Sequence, residues 1–186
     1  MRIISGSARG TKLFTLDGEN TRPTLDRVKE PLFSIINFNL ADSVVLDLFA
    51  GSGALGLESL SRGAKKAVFC DKNSDAINVI KKNIDKTRFN EKSVIIKKDF
   101  EDTIKYLAGG GYKFDIIFLD PPYDTNFILR SLNLIIDKNI INDGTIVIAE
   151  TDDPERIKNE TSSLNIEIFD SRRYGRAYLF FIKIKR

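Results

Sequence analysis

The chain has 186 residues, of which 42% are hydrophobic and 30% charged, a composition typical of one folded domain and not of a disordered chain. The 29 basic and 26 acidic residues leave a net charge of +3, which is too small to identify a partner. There is no histidine and one cysteine, Cys70, which excludes Ser-His-Asp and Cys-His catalysis, histidine-ligated zinc and an internal disulfide. Neither a signal-peptide pattern nor a run of ~18 apolar residues is found, so we expect a cytoplasmic protein.

The charge is unevenly distributed along the chain. Residues 1–13 carry +3 and residues 170–186 carry +5, whereas residues 41–169 hold 21 acidic and 17 basic side chains, a charge of −4. Basic ends on an acidic body are typical of a protein whose anionic partner touches one side of it. Exposed chain ends also collect charge, so this pattern alone leaves both interpretations open.

The N-terminal part of the chain predicts short strands and turns over residues 1–22, followed by a helix over about 25–38. Thr24 is a plausible N-cap for this helix. Pro31 interrupts the helical pattern, so we expect a kink or a restart there. We interpret residues 1–40 as a small basic extension in front of an α/β domain over residues 41–186.

Short apolar runs alternate with helical segments in the rest of the chain. They predict strands at 44–46, 67–70, 94–96, 114–119 and 145–149, with helices near 53–62, 74–88, 100–107, 126–137 and 154–160. This alternation indicates a parallel sheet that is buried on both faces by helices.

The last two apolar runs indicate a different arrangement. Residues 166–169 and 177–182 are joined by a polar turn that holds Arg172, Arg173 and Gly175, which predicts an antiparallel hairpin at one edge. The predicted fold is therefore Rossmann-like α/β, with a mostly parallel seven-stranded sheet and a C-terminal antiparallel hairpin.

A glycine loop follows the first predicted strand. Gly51, Gly53 and Gly56 have the G-x-G-x-x-G spacing, and Asp71 follows Gly51 by 20 residues at the end of the second strand. This pattern places a nucleotide against the loop and its ribose hydroxyls against the carboxylate. A dinucleotide and S-adenosylmethionine both fit the pattern. Asp47 favours S-adenosylmethionine, because an acid before the loop repels a pyrophosphate and attracts a sulfonium or amino group.

The fourth predicted strand ends in Asp120-Pro121-Pro122-Tyr123. Ligand sites of open α/β sheets lie at the carboxyl ends of the strands, so we expect this tetrad beside the glycine loop. Asp120 and the Pro121 carbonyl would offer two acceptors to the two hydrogens of an exocyclic amine, and the Tyr123 ring would stack on the flipped base. That arrangement predicts methyl transfer to a base amine without a covalent nucleophile.

The third strand is followed by Asp99 and Phe100. Asp99 is predicted to bond the adenine amino group and Phe100 to contact the ring, although an Asp that begins a helix explains Asp99 nearly as well. The residues predicted to bind the cofactor are Asp47, Phe49, Gly51, Gly53, Asp71, Asp99 and Phe100.

Several stretches together resemble one family over essentially the whole chain. They are MRIISG at 1–6, RGTKL at 9–13, RPTLDRVKE at 22–30, residues 47–57 and the tetrad at 120–123. In order and spacing they are similar to the bacterial 16S ribosomal RNA guanine-N2 methyltransferases of the RsmD type. Pro31 departs from the family pattern and puts the shape of the N-terminal helix in doubt, but not the chemistry.

The resemblance implies a product, a cofactor and a set of site residues. The product would be N2-methylguanosine at guanine 966 of 16S ribosomal RNA, made on a 30S particle with S-adenosylmethionine as the cofactor. We expect a monomer that acts on the small ribosomal subunit and on no membrane. By the resemblance, the catalytic residues are Asp120, Pro121 and Tyr123. The RNA-binding candidates are Arg9, Lys12, Arg22, Thr24, Arg27, Arg172 and Arg173.

Three other functions were weighed against this one. An adenine-N6 methyltransferase on DNA or RNA uses the same tetrad, but the short chain has no obvious domain for reading a DNA sequence. A nicotinamide-dependent oxidoreductase uses the same loop, but Asp47 and the absence of histidine argue against it. A catalytically idle RNA-binding assembly factor would need neither Asp120 nor Tyr123.

Overall fold

The computed structural model contains one seven-stranded sheet with helices on both faces. It describes residues 1–16, 23–122 and 125–185, and for residues 23–27 the description covers the backbone. The strand order is β3-β2-β1-β4-β5-β7-β6. The first five strands pair in parallel, and β7 is antiparallel to both β5 and β6. The predicted fold class is confirmed.

The strands and helices follow one another in the order that the apolar runs predict. The strands are β1 Val44–Asp47, β2 Lys66–Asp71, β3 Ser93–Lys97, β4 Phe114–Leu119, β5 Ile141–Thr151, β6 Ile166–Tyr174 and β7 Ala177–Ile184. The α-helices are α1 Pro23–Ile35, α2 Ala54–Ser61, α3 Ser74–Thr87, α4 Phe100–Gly109, α5 Phe127–Asp137 and α6 Pro154–Thr161. Short 3₁₀ turns cover Asn37–Asn39 and Asn90–Lys92.

Two apolar cores cover the two faces of the sheet. Successive residues of a strand point to opposite faces, so Ile116 and Phe118 pack with α1, α2 and α3, whereas Ile117 and Leu119 pack with α4 and α5. Ile3 and Leu13 belong to the first of these cores. The N-terminal segment is therefore packed on the same face as α2 and α3.

The N-terminal helix differs from its prediction at both ends. It begins at Pro23, so Thr24 lies inside the first turn and is not the N-cap. Pro is well suited to the first helical position, because its fixed φ matches the helix and the missing N–H needs no partner there. The helix continues through Pro31 to Ile35 as one element, without the expected restart. The predicted last turn is a separate 3₁₀ turn at Asn37–Asn39.

The C-terminal hairpin also differs from its prediction. Arg172 and Arg173 do not lie in the turn; they pair with Leu179 and Tyr178 within β6. A two-residue turn at 175–176 closes the hairpin, so strand pairing extends to the end of β6 and takes both arginines into the strand. In residues 1–16, where short strands were predicted, the regular pairing is a single bridge between Arg2 and Lys12.

Among residues 1–16, 23–122 and 125–185, no helix is long and apolar enough to cross a membrane.

Candidate active site

The main cleft lies at the carboxyl ends of the parallel strands. The strand order reverses between β1 and β4, which is where an open α/β sheet leaves a crevice for a ligand. The cleft has a volume of about 590 Å³, within the range of small-molecule sites. Its wall is formed by residues that follow β1, β2, β3 and β4, together with Met1, Thr15 and Leu16 of the N-terminal segment.

The glycine loop turns sharply from β1 into α2. Gly51 has φ +53° and Gly53 has φ +78°, a region that L side chains rarely adopt. The Gly51 N–H donates to Asp71 Oδ2 at 2.9 Å, which ties the loop to the end of β2. Gly51 and Asp71 both line the cleft, whereas Gly53 lies behind it as the N-cap of α2, against the Phe69 ring.

The third glycine allows α2 to pack directly on β2. A Cβ at Gly56 would lie 2.3 Å from Cε1 of Phe69, whose ring is fully buried. The Gly56 N–H donates to Asp47 Oδ2 at 3.1 Å. The G-x-G-x-x-G spacing therefore positions the Asp47 carboxylate as well as the turn.

Asp47 is the buried acid of the cleft. Its side chain is almost entirely removed from solvent. Burial raises the pKa of Asp47 from 3.8 to about 7, the hydrogen bond from Gly56 lowers it, and the neighbouring Asp71 charge raises it. A cation bound beside this carboxylate would stabilise its charged form.

The charged side chains around the cleft favour a cationic ligand. Among the described side chains, four carboxylates line it, from Asp47, Asp71, Asp99 and Asp120, against two lysine ammonium groups, from Lys72 and Lys98. This balance suits the sulfonium and amino groups of S-adenosylmethionine and disfavours the pyrophosphate of a dinucleotide. The residues present therefore fit the cofactor that the sequence predicts.

Three phenylalanine rings form one wall of the cleft. Phe49 and Phe100 were predicted to bind the cofactor, and their ring centroids lie 5.3 Å apart. Phe127, the first residue of α5, lies 4.9 Å from Phe100 and 6.1 Å from Phe49. Sequence reasoning missed Phe127, and the one signal for it was its position shortly after the tetrad. Arg130 covers the outer side of this wall, 5.3 Å from the Phe100 ring.

Two of the predicted cofactor carboxylates also organise the backbone. Asp99 is the N-cap of α4 and accepts from the Glu101 N–H at 2.9 Å. Asp71 accepts from the Asn73 N–H at 2.8 Å as well as from Gly51. A carboxylate has about four acceptor positions, so both side chains keep capacity for a ligand.

The first three residues of the tetrad lie beside the glycine loop, as the sequence predicts. Asp120 and Pro121 follow β4 and line the same cleft as the glycine loop. Thr125 Oγ1 donates to the Pro122 carbonyl at 2.9 Å. Tyr123 lies outside the described residues.

Two buried polar residues anchor the N-terminal segment, and sequence reasoning missed both. The Glu58 carboxylate accepts from the Ile4 and Ser5 N–H groups at 2.8 and 3.0 Å, and from the Lys29 ammonium at 3.1 Å. Asn83 bonds the segment further along, at Phe14. Their partners in the N-terminal segment lie at least 53 residues away in the sequence, so no local spacing could have revealed these contacts.

The predicted RNA-binding residues occupy two regions. Arg9 is exposed beside the C-terminal end of α2, because Ser7 and Ala8 bond to Ser61. That position is roughly 12 Å along the helix from the glycine loop. Lys12 pairs with Arg2 through a single β-bridge. The structure therefore does not bring Arg9 to the cleft. Arg22 lies outside the described residues, as do the side chains of Thr24 and Arg27.

The C-terminal hairpin carries the other predicted RNA-binding residues, Arg172 and Arg173. Its turn lies past the carboxyl end of β5, because Thr151, the last residue of β5, pairs with Tyr178. The turn therefore lies beyond the same ends of the strands as Asp120. Two strand spacings, roughly 10 Å, separate β7 from β4. Arg172 pairs with Asp170 at 3.0 Å, and both arginines are exposed.

Cys70 is a buried residue of β2 and a poor nucleophile. Its Sγ lies 3.0 Å from Thr103 Oγ1. Burial raises the pKa of the Cys70 thiol to about 12, so the thiolate is scarce near neutral pH. The side chain therefore does not support covalent methyl transfer to a pyrimidine carbon.

Known proteins share both the sequence and the fold of the chain. Residues 1–183 match the family described as "Conserved hypothetical protein 95". The "Ribosomal RNA small subunit methyltransferase D" of Haemophilus influenzae is 38% identical over 153 residues, 82% of this chain and 79% of that protein. The protein of the same name from Escherichia coli K12 is 34% identical over 152 residues, 82% of this chain and 75% of that protein. The chain belongs to the methyltransferase D family.

Solved structures agree with membership of the methyltransferase D family. The structure of "Putative methyltransferase yhhF from Escherichia coli" has a TM-score of 0.83 and 30% identity, and covers 98% of this chain and 96% of that chain. A "putative sam-dependent methyltransferase from Streptococcus mutans" is 18% identical with a TM-score of 0.67, covers 85% of this chain and 48% of that chain, and shares the fold alone. The predicted family is confirmed, and the predicted cofactor is the one named for that fold neighbour.

Proposed function

We propose that this chain transfers a methyl group from S-adenosylmethionine to the exocyclic N2 amine of a guanine in 16S ribosomal RNA. One observation carries the proposal. The cleft brings Asp120 and Pro121, at the end of β4, together with the buried Asp47 beneath the glycine loop. The residues that would supply an acceptor pair for an amine therefore line the same space as an acid suited to a cation.

The cofactor residues follow from the geometry of the cleft. Asp47 and Asp71 would hold the cationic and ribose parts of S-adenosylmethionine, and Phe49, Phe100 and Phe127 would contact its adenine. When bound, S-adenosylmethionine supplies an electrophilic methyl group on a sulfonium. Because Asp47 is deeply buried, little water screens its carboxylate, and its attraction to the cationic cofactor is stronger than at an exposed site.

The catalytic role falls to the tetrad. A guanine amine is a weak nucleophile because its lone pair is delocalised into the ring. Asp120 and the Pro121 carbonyl would accept its two hydrogen bonds and thereby free the lone pair for attack. The nitrogen could then take the methyl group as its bond to sulfur breaks, and Asp120 would accept the proton that the amine loses. The Tyr123 ring is proposed to stack on the flipped base.

We propose that the RNA approaches the carboxyl ends of the parallel strands, where the cleft lies. The hairpin exposes three arginines on that side, Arg172, Arg173 and Arg176. The Arg173 guanidinium lies 5.4 Å from the Tyr178 ring centroid, so it is held against the hairpin. Phosphates of the RNA are the partner that this positive surface fits. The family relatives named as ribosomal RNA small subunit methyltransferases support 16S RNA as the substrate. We propose that this RNA is presented within a 30S particle.

The proposal is tested by removing the Asp120 carboxylate. Asp120→Ala should abolish methyl transfer to small ribosomal subunits. Calorimetry should show that the variant still binds S-adenosylmethionine. Asp137→Ala is the matched control, because Asp137 is an exposed acid at the far end of α5. Full activity of Asp120→Ala would contradict the proposed mechanism.

A further inference from the structure

Phe14 is an exposed aromatic residue that the proposed mechanism does not use. Its side chain is 47% exposed, although most large apolar residues of the chain are buried. Leu13, before it, is packed in the core, and Lys12 is exposed. This alternation is that of an extended segment, so Lys12 and Phe14 share the outer side.

The backbone of Phe14 is held firmly despite the exposure of its ring. The Phe14 N–H donates to Asn83 Oδ1 at 2.7 Å, and Asn83 Nδ2 donates to the Phe14 carbonyl at 3.0 Å. Asn83 is completely buried. Because the backbone of Phe14 is already ordered, packing of a ligand on its ring costs only side-chain freedom.

The same Asn83 connects Phe14 to the cofactor loop. Its Nδ2 also donates to the Ser52 carbonyl at 2.9 Å, and Ser52 lines the cleft. Thr15 and Leu16, which follow Phe14, line the cleft as well. The exposed ring is therefore one residue from the wall of the proposed active site.

The surroundings of the Phe14 ring are positively charged. The Lys86 ammonium lies 4.6 Å from the ring centroid. Lys82 is one helical turn before Lys86 on α3 and is exposed, so both side chains lie on one face of the helix. An exposed aromatic ring with a lysine ammonium over one face matches a nucleotide, whose base stacks on the ring while its phosphate meets the cation.

We propose that Phe14, together with Lys82 and Lys86, stacks on a base of single-stranded RNA that flanks the target nucleotide. The inference rests on the proposed function, because it takes an RNA strand as the substrate at the cleft. It adds a contact on the N-terminal segment that is separate from the tetrad and from the arginines of the hairpin.

Substitutions of Phe14 test the stacking directly. Binding of a labelled single-stranded RNA oligomer, measured by fluorescence anisotropy, should weaken about five- to 150-fold in Phe14→Ala, the range expected for one stacked base. Phe14→Leu should weaken RNA binding as much as Phe14→Ala, whereas Phe14→Trp should bind the RNA as tightly as the wild type. If the Phe14 side chain only packed against the aliphatic part of Lys86, Phe14→Leu would bind the RNA oligomer as tightly as the wild type. That result would overturn the proposal.

Phe38→Ala is the matched control, because Phe38 is 95% exposed in the 3₁₀ turn after α1, away from the cleft. It should leave RNA binding unchanged, and an equal loss in both variants would contradict a specific site. Lys86→Gln should reduce the salt dependence of binding by about 0.7 in the log–log slope.

Failure of this inference is distinguishable from failure of the proposed function. If the wild-type chain methylates small ribosomal subunits and Phe14→Ala has an unchanged KM for them, the stacking site is wrong and the function stands. If the wild-type chain transfers no methyl group but its RNA binding depends on the Phe14 ring, the stacking site stands and the function is wrong. In the active case we expect Phe14→Ala to raise KM for the particle with little change in kcat.

Discussion

The Gly56 N–H donates to Asp47 Oδ2 at 3.1 Å, and it links the start of α2 to the acid that ends β1. A single hydrogen bond offsets only part of the cost of burying a carboxylate. The pKa of Asp47 is therefore raised to about 7, with burial as the main cause. The cofactor site carries an acid whose charge changes near physiological pH.

Cofactor affinity should depend on pH through Asp47. Above pH 7 the carboxylate is charged and attracts the cationic S-adenosylmethionine, whereas below pH 7 binding has to displace a proton. We expect the Kd to rise as the pH falls from 8 to 6, by at most about tenfold per pH unit below 7. Calorimetry in buffers of different ionisation enthalpy would detect the proton release. Asp47→Asn should bind weakly at every pH, and a wild-type Kd independent of pH would contradict the role of Asp47.

The same carboxylate should destabilise the folded chain at high pH. Its pKa is raised on folding from 3.8 to about 7, so the folded state loses stability as the pH rises through that interval. Asp47→Asn removes the charge, and we expect its free energy of unfolding to exceed that of the wild type by about 1–3 kcal/mol at pH 8. The gain should shrink at pH 5. Urea denaturation at both pH values checks this, and a less stable variant at pH 8 would count against it.

The anchor at Glu58 should contribute strongly to stability. Its carboxylate is fully buried against Lys29, 3.1 Å away, and also accepts from the Arg62 side chain at 2.8 Å. Glu58→Gln removes the negative charge from this buried ion pair, so we expect a loss of about 3–5 kcal/mol in urea denaturation. Glu101→Gln, which removes an exposed ion pair with Arg130, should cost less than about 1 kcal/mol. Equal losses in the two variants would contradict the anchor.

Two helical glycines should respond oppositely to alanine. Gly56→Ala places a Cβ 2.3 Å from the buried Phe69 ring, whereas Gly109→Ala meets nothing within 4 Å. We expect Gly56→Ala to destabilise the chain by about 1–3 kcal/mol and to weaken cofactor binding, because α2 has to shift. Gly109→Ala should be neutral or stabilising by up to about 1 kcal/mol. Thermal unfolding of the two variants would compare them, and a stable Gly56→Ala would show that α2 does not pack as described.

Much of the fold and part of the site follow from local patterns. The strands are short apolar runs, and the Gly51–Asp71 spacing is that of one β-α-β unit. The sequence therefore predicts both the strands and the contact between Gly51 and Asp71. Long-range contacts were not readable. Asn83 faces Phe14 across 69 residues, and no periodicity encodes that partnership. Whether Arg172 lies in the turn or in β6 depends on the number of residues in the hairpin loop. The residue types around the loop did not determine that number.

The identity of the methylated base tests the central claim most directly. Small ribosomal subunits that lack the modification would be incubated with the purified chain and labelled S-adenosylmethionine, and the labelled nucleoside identified by mass spectrometry. We expect N2-methylguanosine at a single position of 16S ribosomal RNA, and none when Asp120→Ala replaces the wild type. N6-methyladenosine, or no labelled nucleoside, would contradict it.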